Sequence, residues 1–229
     1  MSRPTVHARD LCRRYGRRWA LARVDLDLQP GERLLVVGAN GGGKTTLLRV
    51  LSTATQPTRG TLSLFGLDPA RQPEAVRRKL ALLTHLPSLY DDLSGSENLR
   101  ILARLLRRSL DVRPWLEQVG LDDRPDPVRS YSAGMRKRLS FARLLLQEPA
   151  LALIDEPYGQ LDPEGFRLVD RLVAALAQGG TTVVMASHLV ERAAGLCDHG
   201  LLLHQGLPRW SGPASDAPKA WSLLHRSAQ

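Results

Sequence analysis

The stretch Gly38-Ala39-Asn40-Gly41-Gly42-Gly43-Lys44-Thr45-Thr46 constrains this chain more than any other. It carries the pattern G-x-x-x-x-G-K-[ST] at every fixed position. Before it, Leu34-Leu35-Val36-Val37 is a short apolar run of the kind a buried parallel strand shows. After it, Thr45 to Leu51 places apolar residues at helical spacing. Strand, glycine loop and helix in that order predict an α/β core. Glycines lack a Cβ and tolerate positive φ, so such a loop can wrap a phosphate and aim its N–H groups inward. The helix that follows adds its positive end. Gly38, Ala39, Asn40, Gly41, Gly42, Gly43, Lys44, Thr45 and Thr46 are therefore expected to bind a nucleoside triphosphate. Lys44 would reach the β- and γ-phosphates, and the Thr45 hydroxyl would ligate Mg²⁺.

The flanks can be read in order. From Val6 to Leu28, partial apolar alternation around Arg14-Tyr15-Gly16-Arg17 predicts antiparallel strands. A strand over Thr61–Phe65, a basic helical piece over Glu74–Leu80 and a strand over Ala81–Thr84 follow. The middle of the chain is helical in character. Ser94 or Ser96 is placed to cap a helix through Leu106, a second helix lies near Pro114–Val119, and a third begins at Ser132. From Leu151 the α/β pattern resumes: strand Leu151–Ile154, helix Pro163–Gln178, strand Thr181–Ser187, helix Leu189–Leu196 and strand Leu201–Leu203. The tail from Pro208 holds Pro, Ser and Gly and is expected to be loosely ordered.

A chain of 229 residues suits one large domain, here read as a single nucleotide-binding domain over 1–229. No run of about 18 apolar residues is present to span a membrane, and Met1 to His7 has no apolar signal core, which predicts a cytosolic chain. Cys12 and Cys197 form neither metal spacing nor a disulfide framework. The net charge of +9 raises nucleic acid as a partner. However, the arginines are scattered, and Lys44, Lys79, Lys137 and Lys219 are the lysines, so no specific nucleic-acid partner is expected. A general attraction to an anionic leaflet fits this charge better.

Leu151-Ala152-Leu153-Ile154-Asp155-Glu156 is an apolar strand that ends in two acids. Downstream of a phosphate loop, Asp155 can hold Mg²⁺, and Glu156 can polarise the water that attacks the γ-phosphate.

Between these motifs stands Tyr131-Ser132-Ala133-Gly134-Met135, just before a helix. Here the chain resembles the ATP-binding cassette family, whose signature reads L-S-G-G-Q. Ser132 and Gly134 match it, while Tyr131, Ala133 and Met135 depart from it. The resemblance implies that Ser132 and Gly134 bind the γ-phosphate held by a second copy, in a head-to-tail, ATP-dependent homodimer. It further implies that Tyr15 stacks on adenine, that Asp162 in Tyr158-Gly159-Gln160-Leu161-Asp162 communicates across that dimer, and that His188 is the switch histidine, which contacts the γ-phosphate and orients the attacking water. Where the family carries a glutamine that senses the membrane subunit, this chain has Thr84-His85-Leu86-Pro87. Imidazole nitrogen suits Mg²⁺ poorly, so His85 is expected to couple to the partner rather than to hold metal. A histidine there resembles the branch that serves haem export in cytochrome c maturation. The short length and the lack of a C-terminal accessory domain fit that branch as well.

The fold implied is an α/β P-loop NTPase core of the ABC ATPase type, with an N-terminal antiparallel β portion and an inserted helical subdomain at about 89–148. The activity implied is ATP hydrolysis with Mg²⁺, on the cytoplasmic membrane face, driving a separate transmembrane permease. Within the family the rival is a drug or lipid exporter. Outside transport it is a soluble cassette acting on DNA or ribosomes. The 46–131 interval is too short for the long coiled coils of the first of these, and the second carry two cassettes per chain where this has one.

Overall fold

The apolar runs of the central strands are covered on both faces, and this organises the molecule. In the computed structural model, which describes residues 3–85 and 88–226, the elements follow one another as below. A hairpin of β1 (Val6–Tyr15) and β2 (Arg18–Leu28) leads into β3 (Arg33–Val37) and α1 (Lys44–Leu51). Then come β4 (Arg59–Leu64), α2 (Pro73–Arg77) and β5 (Leu80–Leu83). The helices α3 (Gly95–Leu105), α4 (Arg113–Gln118) and α5 (Ala133–Leu146) fill the middle. After them run β6 (Leu151–Asp155), α6 (Pro163–Gln178), β7 (Thr182–Ala186), α7 (Val190–Ala194), β8 (His199–His204), β9 (Leu207–Pro213) and α8 (Ala217–Arg226). Leu86 and Pro87 of the expected Thr84–Pro87 motif lie outside the described residues.

β2, β1 and β4 form a 3-stranded antiparallel sheet, and β5-β6-β7-β3-β8-β9 form a 6-stranded one. In the larger sheet neighbours are parallel from β5 to β8, and β9 closes the edge antiparallel. The period-2 alternation of a strand sorts its side chains into two cores. Leu35, Val37, Ala152, Ile154, Val183 and Met185 face the core shared with α3, α5, α6 and α7. Leu34, Val36, Leu151, Leu153, Val184 and Ala186 face α1 and the smaller sheet. Burial on both faces is why these strands read as unbroken apolar runs.

Of the two serines offered as a cap for α3, Ser94 takes the role. Its Oγ accepts from Glu97 N at 3.2 Å, and its N–H donates to Glu97 Oε2 at 2.7 Å. This capping box contributes about 1 kcal/mol. The basic piece expected to be helical to Leu80 ends at Arg77, because Leu80 is taken into β5.

The tail requires a correction. Far from being loose, it forms β9, paired with β8 from His199↔Pro213 to His204↔Leu207, and then α8. Pro208 and Pro213 are tolerated because β9 is an edge strand. Gly200 leaves room for Trp210: a Cβ there would lie 2.7 Å from the indole ring. In α8, Ala217, Trp221 and Leu224 recur at i, i+4 and i+7 and pack on the core.

Candidate functional site

Parallel pairing brings three strand ends to one edge. Val36 of β3 and Asp155 of β6 both lie in register with Ala186 of β7. The glycine loop, the acidic pair and His188 therefore emerge side by side, outside the carboxyl ends of the strands.

The loop folds as it does because its glycines sit against backbone. Gly43 has φ +114°, and a Cβ there would meet Ala20 O at 2.7 Å. A Cβ on Gly38 would approach Leu203 O to 2.4 Å. Two neighbours brace the loop from outside: Gly206, in the β8–β9 turn, donates to Gly42 O at 2.9 Å, and Arg18 Nη2 donates to Gly41 O at 3.4 Å. The Lys44 side chain is buried and turns back into the loop, its Nζ donating to Gly38 O at 2.7 Å and to Ala39 O at 3.4 Å. Thr45 is exposed and Thr46 half-buried at the start of α1.

Thr45 Oγ1 donates to Asp155 Oδ2 at 2.8 Å. Burial pushes the Asp155 carboxyl above its ordinary range, opposed by the Thr45 bond and by the charges of Lys44 and Lys137. Glu156 follows with φ +48°, a left-handed conformation uncommon for a residue with a Cβ. Its neighbours hold it there. Glu156 N donates to Ala186 O at 2.9 Å, and Glu156 O accepts from Lys137 Nζ at 2.9 Å. Its Oε2 accepts from His188 N at 3.2 Å and lies 2.7 Å from His188 Nδ1. A carboxylate oriented by an imidazole, at the same sheet edge as the glycine loop, is equipped to take a proton from a water attacking a phosphate.

The remaining candidates are spread around this edge. Tyr15 is exposed at the end of β1, with the Arg13 guanidinium 4.6 Å from its ring centre. It pairs with Arg18, the residue that reaches Gly41. Ser132 caps α5, accepting from Met135 N at 3.2 Å, and is exposed. Gly134 packs beside the turn after Glu156, where an added Cβ would lie 3.5 Å from Gln160 O. Asp162 caps α6 through Gly165 N at 2.6 Å. His85 is exposed, and its Cε1 would stand 4.0 Å from a Cβ on Gly159, so it borders the segment that follows Glu156.

Sequence reasoning passed over three neighbours. Arg18, in β2, and Gly206, in the β8–β9 turn, brace the loop from parts of the chain remote in sequence, and no local pattern marks them. Lys137 did carry a signal: with Phe141 and Leu144 it occupies i, i+4 and i+7, all buried. Burial lowers its ammonium to a pKa of about 8, while the charges of Asp155 and Glu156 pull it back up. A further network secures the same region. Tyr158 Oη donates to Asp170 at 2.8 Å, and Arg192 pairs with that carboxylate.

Hydroxyl and carboxylate oxygens from Thr45 and Asp155, 2.8 Å apart, are the hard donors that Mg²⁺ takes. The glycine loop with its lysine suits the phosphates that accompany the metal. The family model described as ABC transporter matches residues 21–159, more than half of the chain. The chain belongs to the ABC transporter family. As an ABC ATPase subunit it hydrolyses ATP, with Mg²⁺, to drive transport. It is 37% identical over 208 residues to the Nod factor export ATP-binding protein I of Cupriavidus metallidurans, covering 88% of this chain and 68% of that one. It is 44% identical over 168 residues to the cytochrome c biogenesis ATP-binding export protein CcmA of Xanthomonas campestris pv. campestris, covering 72% and 78%. Among solved structures, an ATP-binding subunit of an ABC transporter superposes with a TM-score of 0.86 at 28% identity, covering 96% and 94%. No helix among the described residues is long and apolar enough to cross a membrane.

Proposed function

We propose that this ABC ATPase works as an ATP-dependent, head-to-tail homodimer on the cytoplasmic face of the membrane, beside a separate permease. Its cargo is haem or another factor of cytochrome c maturation. The observation that carries the cargo is the 44% identity to CcmA, against 37% to the Nod factor exporter. His85, in place of the family's usual glutamine, supports the same branch. That the Nod factor exporter aligns over 88% of the chain favours a second reading, export of a lipid-like or drug-like molecule.

In this reading the loop from Gly38 to Thr46 binds the phosphates, Lys44 answers the β- and γ-phosphate charge, and Tyr15 stacks on adenine. Thr45 and Asp155 hold Mg²⁺, which neutralises charge on the phosphate oxygens. Glu156 accepts a proton from the attacking water, and His188 keeps that carboxylate aimed through Nδ1. Ser132 and Gly134 close over the second copy's γ-phosphate, Asp162 carries the signal across the dimer, and His85 senses the permease.

Deleting the gene tests the cargo. Loss of covalent haem from the cell's c-type cytochromes is the expected result, whereas normal haem staining together with new drug or lipid-export defects selects the second reading. His85→Gln is expected to change basal ATPase of the isolated chain by less than about twofold and to alter its stimulation by the permease, because imidazole meets Mg²⁺ well only through water. A large basal loss with unchanged stimulation would place His85 with the metal instead.

A further inference from the structure

We infer that Lys137 is a positioning residue for Glu156: it is the strut by which helix α5 holds the backbone of the carboxylate in the same chain. This rests on the reading of Glu156 as the group that activates water.

The cost that the strut offsets is local. A side-chain-bearing residue in the left-handed region is disfavoured by about 1–2 kcal/mol and persists only where its surroundings over-determine it. Glu156 is such a residue, at φ +48°. The groups that fix it come from separate elements. β7 supplies Ala186 O to its N–H, the segment after β7 supplies His188 to its carboxylate, and α5 supplies Lys137 to its carbonyl. The bond from Lys137 is charge-assisted, at 2.9 Å, with the lysine 2% exposed. Such bonds are about twice as strong as neutral ones. Burying a lysine side chain is costly. The return is a fixed carbonyl at the residue whose side chain must be aimed.

The placement of Lys137 has a second consequence. Ser132 and Gly134 lie at the start of the same helix, five and three residues before it. A displacement of that helix end is transmitted along a rigid rod to Nζ and from there to Glu156 O. What the start of α5 docks against therefore bears on the aim of the carboxylate within its own chain, as well as on the partner's nucleotide.

The test is a double-mutant cycle on the full chain with any co-purifying membrane subunits, reading kcat, KM and ATP affinity. Lys137→Met is expected to lower kcat about tenfold or more with ATP affinity within about threefold, since the loop and Asp155 are untouched. Nucleotide recovered from Lys137→Met after incubation should be mainly ATP rather than ADP. Lys137→Arg, which keeps a charged donor, should recover kcat to within about threefold of the parent. In a Glu156→Gln background, Lys137→Met should cost nothing further, because the strut has no carboxylate left to aim. Parental kcat in Lys137→Met, or a full additional loss on top of Glu156→Gln, overturns the inference. If Lys137→Met no longer binds ATP, Lys137→Arg decides: a chain that binds ATP normally yet loses tenfold in kcat overturns it. Failure of Glu156→Gln itself to slow turnover would be a separate result, one against the reading of Glu156.

Discussion

Glu156→Gln is expected to bind MgATP with parental affinity and to turn it over at least about a hundredfold more slowly, the scale of losing a general base. The substitution is unusually clean at this position. Glutamine is no more strained than glutamate at φ +48°, and the backbone bonds to Ala186 and Lys137 do not involve the side chain. The amide oxygen can still accept from His188, so the histidine keeps its place. The nucleotide-binding groups, Lys44, Thr45 and Asp155, are unchanged. What disappears is the capacity to take a proton. Calorimetry with ATP, phosphate release under multiple turnover and size exclusion with and without ATP check the three parts: affinity retained, turnover lost, an ATP-dependent dimer that persists. Turnover within about threefold of the parent would show that another group activates the water.

The parts of this molecule that were legible in the sequence are those where local chemistry and long-range packing agree. Leu34–Val37 and Leu151–Ile154 read as buried strands because both of their faces are covered, which leaves no position for a polar residue. The loop was legible because its glycines are demanded by backbone that would lie within 3 Å of a Cβ on Gly38 or Gly43. The tail was illegible for the opposite reason. Pro208, Gly212 and Pro213 look like a linker until β8 supplies the partner strand and Trp210 uses the space left by Gly200. The role of the β8–β9 turn at the site was also hidden, since the link from Gly206 to Gly42 joins residues far apart in the chain. Lys137 escaped because a lysine between Arg136 and Arg138 carries no apolar signal, although it shares the buried stripe of α5 with Phe141 and Leu144.

Lys44→Ala is expected to weaken ATP binding about a hundredfold or more while leaving the fold intact. Lys44 is only 7% exposed, and its ammonium makes its bonds inside the loop, to Gly38 O and Ala39 O. In this state it is already largely desolvated, so much of the cost of bringing it to a phosphate has been met in folding. Removing a buried, hydrogen-bonded charge from such a contact costs about 2–5 kcal/mol, which spans roughly thirtyfold to several thousandfold in affinity. Alanine is the best helix former, so the start of α1 should not fray, and the glycine conformations that shape the loop are set by Ala20 and Leu203 rather than by Lys44. The melting temperature should therefore move by only a few degrees. Comparing ATP with AMP separates the two ways affinity could fall. If Lys44 answers the β- and γ-phosphates, ATP loses far more than AMP, which lacks both. Equal losses would mean that the loop has collapsed without its internal bonds, and an ATP affinity within about threefold of the parent would remove Lys44 from the phosphate site altogether.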